Sequence, residues 1–370
     1  VADSVATVFL CGDVMLGRGI DQVLPHPGDP TLWESWARDA RRYVDLAEKA
    51  SGPIPRPVDG SWIWGESLPD LEEVAPDVRI VNLETSITTS SEHAVGKTVL
   101  YRMSPDNIAV LAAGRPDVCV LANNHVLDFG RRGLAETLDS LARAGIPTAG
   151  AGADLAGARR PAVVPLAGGH RILVLAVGLA TSGIPPGWAA TEERAGVAFA
   201  PGPSRAAADA VLEGVRATRR DGDVVVVSVH WGGNWGYDVA EEEIAFAHHL
   251  VDGGVDLVHG HSSHHPRPVG LHRGRLILYG CGDFIDDYEG IGGHDRYRDD
   301  LRLGYLATVE TATGRLVSLR ILPWQAHRMS LRRVSARDAS WLRSTLDDIS
   351  RPFGVRFDLA GDGTLAATSV

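Results

Sequence analysis

Short apolar runs rich in valine and isoleucine recur along the chain, and most are closed by a polar residue. They read as buried strands over residues 6–11, 79–83, 117–122, 171–177, 223–230, 255–260, 274–281, 303–310 and 315–322. Between several of them the apolar period changes to that of a helix. Leu134, Leu138 and Leu141 fall on one face of a helix predicted over 131–144, which Gly145 and Pro147 stop. Segments 204–219 and 240–253 are helical too, the second ending at Gly253–Gly254. The strands at 303–310 and 315–322 flank Thr313–Gly314 as an antiparallel hairpin. This mixture predicts a layered α/β sandwich, with helices covering the sheet faces.

Residues 19–72 interrupt the alternation, holding Trp33, Trp36, Trp62 and Trp64 among prolines and glycines. Such an insertion beside the end of the first strand is either a lid or substrate wall, or a packed structural excursion. The tail 336–370 reads as a helix and a small hairpin around Gly361–Gly363. The expected organisation is one catalytic unit, 1–335, extended by 336–370.

The polar residues that close the runs carry the chemistry. Asp13 follows the first strand, Glu84 the second and the pair Asn124–His125 the third; His230 and His261 follow two later ones. Residues at the carboxyl ends of parallel strands share one edge of a sheet, where open α/β folds build their sites. All six are therefore expected in one pocket. Any one of them alone could be structural, but together their oxygen and nitrogen donors suit a divalent metal. Without a metal, Asp13 beside Glu84 would raise at least one carboxyl pKa by like-charge repulsion. His125 and His230 would then supply imidazoles for acid–base work.

Charge narrows the partners. With 47 acids against 36 bases the net charge is −11, which disfavours nucleic acid and an anionic membrane surface. Cys11, Cys119 and Cys281 lie in apolar runs without Cys-x-x-Cys spacing and read as buried thiols of a reducing compartment. No leader precedes the first strand and no run of about 18 apolar residues exists, so the expected location is cytoplasmic.

Six stretches occur in an informative order: GDVMLGR at 12–18, NLETS at 82–86, ANNHVLDFG at 122–130, VHWG at 229–232, GHSSHHPRP at 260–268 and LYGCGDFIDDYEGI at 278–291. Over residues 8 to 310 the chain thereby resembles the bacterial capsule-synthesis CapA (poly-γ-glutamate biosynthesis) family. That family is in turn similar to the calcineurin-like metallophosphoesterases, which implies a four-layer α/β/β/α sandwich. The phosphoesterase pattern holds two metals. Here Met15 and Ser263 stand where two of its histidines would be, and Glu84 stands at its bridging acid. The resemblance thus leaves one metal with Asp13 and Glu84 alone, and the other with Glu84, Asn124, His230 and His261. It implies at most one well-held divalent ion (Mn, Zn or Mg). His264 is the candidate substitute ligand, and His259 is expected to point away.

The stretch GKTVLYRMSPDN at 96–107 also matches, nominating Lys97 and Arg102. With Arg18 and Arg267 they are candidates to hold a substrate carboxylate. Trp231 and Trp235 flank His230 and could wall an aromatic or peptide substrate. His294 lies in a Gly-rich loop, EGIGGHDRYRDDL.

One branch of the family looks like peptide epimerases, including an enzyme that inverts the C-terminal tryptophan of a lasso peptide. That resemblance implies a cofactor-independent epimerase acting on a peptide, such as a precursor with a leader. One group removes the Cα proton and another returns it on the opposite face; Asp13 and His294 are the expected pair, with Glu84 and His125 beside them. No dinucleotide fingerprint or pyridoxal lysine stands out. Two alternatives remain open: a metal-dependent phosphoesterase or γ-glutamyl hydrolase, with His125 protonating the leaving group, and a non-catalytic accessory protein of polyglutamate synthesis.

Overall fold

The first strand, β1 (Val5–Val14), turns Val8 and Leu10 to one side and Phe9 and Cys11 to the other. Those two faces meet different apolar layers, and that alternation sets the architecture of residues 5–369, which the computed structural model describes. The elements that position the site follow in chain order: β2 (Val78–Leu83), β3 (Val118–Val120), α1 (Gly130–Arg143), β4 (Arg171–Leu179), α2 (Arg205–Thr218), β5 (Asp223–His230), α3 (Glu241–Asp252), β6 (Leu257–His261), β7 (Arg275–Leu278), β8 (Asp283–Ile285), β9 (Leu301–Glu310), β10 (Leu316–Ala326) and α4 (Ala336–Ser350).

Two sheets are stacked. In the first, β10, β9, β1, β2 and β3 lie side by side, with β8 parallel to β1. β1, β2 and β3 are parallel to one another, whereas β9 runs antiparallel to β1 and β10 to β9. In the second, β4, β5, β6 and β7 form a parallel run. Val8, Leu10, Ile80, Val226, Leu257 and Leu276 pack between the sheets. Outside the second sheet, Val225, Val227 and Val229 meet Leu212 of α2 and Phe246 and Leu250 of α3. Outside the first, Phe9 and Cys11 join Trp64, Leu134, Leu141, Phe284 and Trp324. Three apolar interfaces separate four layers, so the sandwich is α/β/β/α. The valine run of β5 is continuous rather than alternating because both its faces are covered; burying each such side chain contributes about 1.5–3 kcal/mol.

The predicted single strand at 274–281 is two elements. β7 ends at Leu278 in the second sheet, and after a turn containing Gly280 and Gly282 the chain enters the first sheet as β8. The passage is tight: a Cβ on Gly12 would lie 1.6 Å from the Gly282 carbonyl oxygen, so only glycine fits there. The insertion carries helices at Arg41–Ser51, Gly60–Trp64 and Ser67–Val74. It buries Tyr43, Ile63 and Trp64, and Trp64 Nε1 donates to the Val110 carbonyl at 2.8 Å. The tail forms α4 and a hairpin, Val355–Leu359 with Leu365–Ser369, that joins the edge at β10. Among the described residues no helix is long and apolar enough to cross a membrane.

Candidate active site

Strand ends meet at the seam between the sheets. Asp13 stands near the end of β1, Asn82 in β2 with Glu84 just beyond it, and Asn123, Asn124 and His125 beyond β3; His230 and His261 end β5 and β6. The first three strands belong to one sheet and the last two to the other. The single sheet edge expected from the sequence is therefore a meeting of two edges. His259 ties them, its Nε2 donating to the Cys11 carbonyl at 2.7 Å. The expectation that His259 points away fails: it shares a face of β6 with His261, their rings 5.1 Å apart. It is instead occupied by Cys11 and by Ser228 Oγ, 3.1 Å from its Nδ1.

A chain of amides fixes the acids. Asn123 Nδ2 donates to Asn82 Oδ1 at 3.0 Å, and Asn82 Nδ2 donates to Asp13 Oδ1 at 2.8 Å and to Glu84 Oε2 at 2.9 Å. Burial and then the charge of Glu84 hold the Asp13 carboxyl well above the usual range. Burial pushes Glu84 up to about 8. The expected like-charge effect is present, but loss of water is the larger cause.

His125 Nδ1 lies 2.6 Å from Asp128 Oδ2, while its Nε2 faces Glu84 Oε1 at 3.8 Å. An ionised carboxylate only accepts, so Nδ1 carries the proton and Nε2 offers a lone pair to the centre. Burial holds the imidazolium form down, at about 4. His230 Nδ1 and His261 Nδ1 are 2.6 Å apart, and His230 Nε2 is 3.2 Å from Asn124 Oδ1 and 3.9 Å from Glu84 Oε1. The four donors proposed for one metal are thus contiguous.

Two groups of donor atoms cluster within 4.8 Å: Asp13 with His230 and His261, and Asp13 with His264 and Asp283. Asp13, rather than Glu84, is common to both. The position that the resemblance leaves with Asp13 and Glu84 has further donor atoms beside it. The loop after β6 supplies His264 and the switch between sheets supplies Asp283, with His264 Nδ1 3.0 Å from Asp283 Oδ1. Ser262 turns this loop at φ +107°, a strained value for a side-chain-bearing residue. Asp13 Oδ2 and Asp283 Oδ2 are buried with no hydrogen-bond partner among the described residues. Such oxygens are costly unless something pairs with them, and a divalent cation held by this mixed oxygen and imidazole set fits that need.

The remaining candidates divide. Lys97 donates to Asp128 Oδ1 at 2.5 Å and to the Asn124 carbonyl, beside His125. Arg18 is buried against Asp287, Glu34 and Tyr43. Arg102 donates to the Ser90 and Asp29 carbonyls and lies over Phe129, and Arg267 pairs with Glu243 at 2.7 Å. Trp231 is fully buried, stacked on Tyr279 and edge-on to Phe246, and presents no face to a ligand. Its place directly after β5 puts it under α3. Trp235, further along the loop, stacks on His294 with centroids 3.7 Å apart and lies 5.4 Å from the His264 ring. His294 is thus half-buried at the rim. Asn82, Asn123, Asp128 and Asp283 are not singled out by the sequence pattern, although each lies within a quoted motif. Asn82 and Glu84, two apart at the end of one strand, carry the plainest signal.

The model for the family described as bacterial capsule synthesis protein PGA_cap matches residues 7–288. The chain is similar to the probable polyglutamine synthesis accessory protein of Mycobacterium tuberculosis, 54% identical over 98% of this chain and 95% of the relative. It is similar to the PGA biosynthesis protein CapA of Bacillus subtilis, 25% identical over 82% of this chain and 68% of the relative. A solved structure, TT1561 of Thermus thermophilus, matches 85% of this chain and 97% of that one at 10% identity, with a TM-score of 0.38.

Proposed function

Because the chain belongs to the bacterial capsule synthesis protein PGA_cap family, we propose that it is an accessory enzyme of glutamine- or glutamate-polymer synthesis that acts on an amide bond at the seam between its sheets. The observation that carries this reading is the pair of buried carboxylate oxygens, on Asp13 and Asp283, that lack a hydrogen-bond partner among the described residues and are set among imidazoles. The names of the relatives supply the polymer.

Asp13, His230, His261, His264 and Asp283 would hold a divalent cation, which when bound polarises a substrate oxygen as a Lewis acid. The chain's own residues do the rest. His125, oriented through Nδ1 by Asp128, accepts a proton at Nε2 from the attacking nucleophile. Glu84 lies outside both donor groups and faces His125 Nε2 at 3.8 Å, where its carboxyl can protonate the departing amine. Asn82 holds Asp13 and Glu84 in place.

A second reading is cofactor-independent epimerisation of a peptide Cα, with Asp13 and His294 exchanging the proton. It is favoured by the ring stack that places His294 on Trp235, beside His264, on a loop with glycines at 290, 292 and 293.

Purified protein should contain a divalent metal by elemental analysis. It should release amine from glutamine- or glutamate-containing peptides in a chelator-sensitive way that Asp13→Asn abolishes. Chelator-insensitive turnover that places solvent deuterium at a Cα would favour epimerisation. Absence of both activities leaves a non-catalytic accessory role.

A further inference from the structure

We infer that Tyr288 is a further catalytic residue, whose hydroxyl donates a hydrogen bond to the oxygen that becomes negative when the amide carbonyl is attacked. This rests on the amide-bond reading above and adds a neutral donor to a centre built of carboxyls and imidazoles.

Two tyrosines meet between His264 and His125. The Tyr288 ring stands edge-on to His264, with centroids 5.2 Å apart and planes at 87°. The Tyr101 ring lies 4.0 Å from the His125 ring. The two hydroxyls are hydrogen-bonded to each other, so the pair reaches from a candidate metal ligand to the base.

The protons of this pair can be counted. Each hydroxyl has one proton to donate and lone pairs to accept, so the shared bond uses one proton and leaves the other. If Tyr288 donated to Tyr101, the Tyr101 proton would have no acceptor among the described residues. If Tyr101 donates, the Tyr288 proton faces Met15 Sδ at 4.0 Å, a weakly accepting thioether. Tyr101 is buried, whereas Tyr288 is only half-buried. The order is therefore from Tyr101 to Tyr288, and from Tyr288 to a ligand. Met15, standing where the phosphoesterase pattern has a histidine, leaves that proton free. Burial holds both phenols well above their usual range, so both stay protonated at neutral pH.

The donor is fixed before a substrate arrives. The Tyr288 backbone N–H donates to Asp286 Oδ1 at 3.0 Å, and Asp286 pairs with Arg302 at 2.6 Å. The adjacent Asp287 accepts from Arg18 Nε at 2.8 Å, and the Arg18 guanidinium lies 4.8 Å from the Tyr101 ring and 5.5 Å from the Tyr288 ring. The Tyr101 backbone N–H is held by Asp128, the carboxylate that orients His125. A donor set in this way needs no reorganisation when charge develops.

In the step itself, water gives its proton to His125 Nε2 as its oxygen bonds to the carbonyl carbon. The carbonyl π pair moves onto the oxygen, which Tyr288 meets with a hydrogen bond while keeping its proton. When the pair returns, the C–N bond breaks and the amine takes a proton from Glu84.

The experiment compares the full chain with Tyr288→Phe and Tyr101→Phe. Turnover is followed with acetyl-Gln-Gln-Gln-Gln-amide. Binding is measured by calorimetry, in chelator and after manganese loading, for this peptide and for its phosphinate analogue, in which a tetrahedral phosphinate replaces the central amide. Tyr288→Phe should lower kcat on the order of 10²- to 10³-fold with KM little changed. It should weaken the phosphinate by a similar factor and the peptide hardly at all. Tyr101→Phe, which removes only the donor behind Tyr288, should lower kcat about fivefold. Metal content and thermal stability should match the parent in both variants. Unchanged kcat, a raised KM alone, equal loss of peptide and phosphinate, or loss of metal in Tyr288→Phe overturns the inference and leaves the amide-bond reading intact. A parent chain that neither turns over the peptide nor binds the phosphinate overturns both.

Discussion

Asp13 and Asp283 are register partners on adjacent parallel strands, and each leaves one buried carboxylate oxygen without a hydrogen-bond partner among the described residues. Two acids in that position repel each other, and each is hydrogen-bonded through Oδ1, to Asn82 and to His264 respectively. Asp13→Asn should therefore stabilise the metal-free protein by about 1–3 kcal/mol, since the new amide N–H can donate where an acceptor was stranded, while abolishing turnover. Urea unfolding in chelator measures it; a destabilised variant would show that Asp13 is satisfied in solution.

The pH dependence of metal-free stability has a worked sign. Burial holds His125, His259 and His265 at about 4 and holds His230 and His261 well down. Unfolded histidines take protons near 6.5, so below that pH the unfolded chain binds more protons and stability falls. Burial holds Glu84 and Asp286 up at about 8, with Asp13 also raised. Against its burial, the charge of Asp283 holds His264 up at about 9. The three carboxyls partly offset the five imidazoles in the acidic window. Above 6.5 they and His264 keep protons only in the folded state, so stability falls as pH rises towards 9. A maximum near pH 6.5 is expected in chelator, and a bound divalent cation, which favours the ionised carboxylates, should shift it upward. A chelated protein that grows more stable from pH 7 to 9 would contradict these shifts.

Asp128 orients His125 from behind and also accepts the Tyr101 backbone N–H at 2.7 Å. Asp128→Asn should keep the fold but permit the wrong imidazole tautomer, lowering kcat roughly 10²–10⁴-fold with little change in KM. A variant that loses KM and keeps kcat would place Asp128 in substrate binding instead.

Trp231 and Trp235, four residues apart, should behave oppositely. Trp231→Ala opens a cavity between the second sheet and its helices and should cost about 3–5 kcal/mol. Trp235→Ala, at the rim beside His294 and His264, should cost little stability and raise KM. Thermal unfolding together with steady-state kinetics separates the two, and a thermally neutral Trp231→Ala would refute its core placement.

Much of this site was legible because strand ends are legible. The valine runs located Asp13, Glu84, His125, His230 and His261 without any knowledge of how the strands pair. What the pattern cannot carry is the partition of those strands between two sheets, since parallel strands buried on both faces look alike in either one. The switch after Leu278 was hidden for the same reason: Leu276, Ile277 and Leu278 run on to Tyr279 and Cys281 in one apolar stretch, and only the crowding of Gly282 against Gly12 marks the break. Asp283 was missed with it. The acid partners of the arginines are hidden in the same way, because Asp287, Asp29 and Glu243 are separated in sequence from Arg18, Arg102 and Arg267.

The return of the chain to its first sheet at Asp283 constrains how relatives could exchange parts. A chimera joined in the connection before β4 would take Asp13, Glu84 and His125 from one parent and His230, His261 and His264 from the other. Asp283, however, would arrive from the second parent and seat itself against the first parent's Asp13, with His259 reaching the first parent's Cys11 carbonyl. No single crossover between Asp13 and Asp283 inherits the centre whole from one parent. Recombination within such a lineage is therefore expected to preserve folding more often than activity, and surviving hybrids should retain compatible pairs at positions 13 and 283.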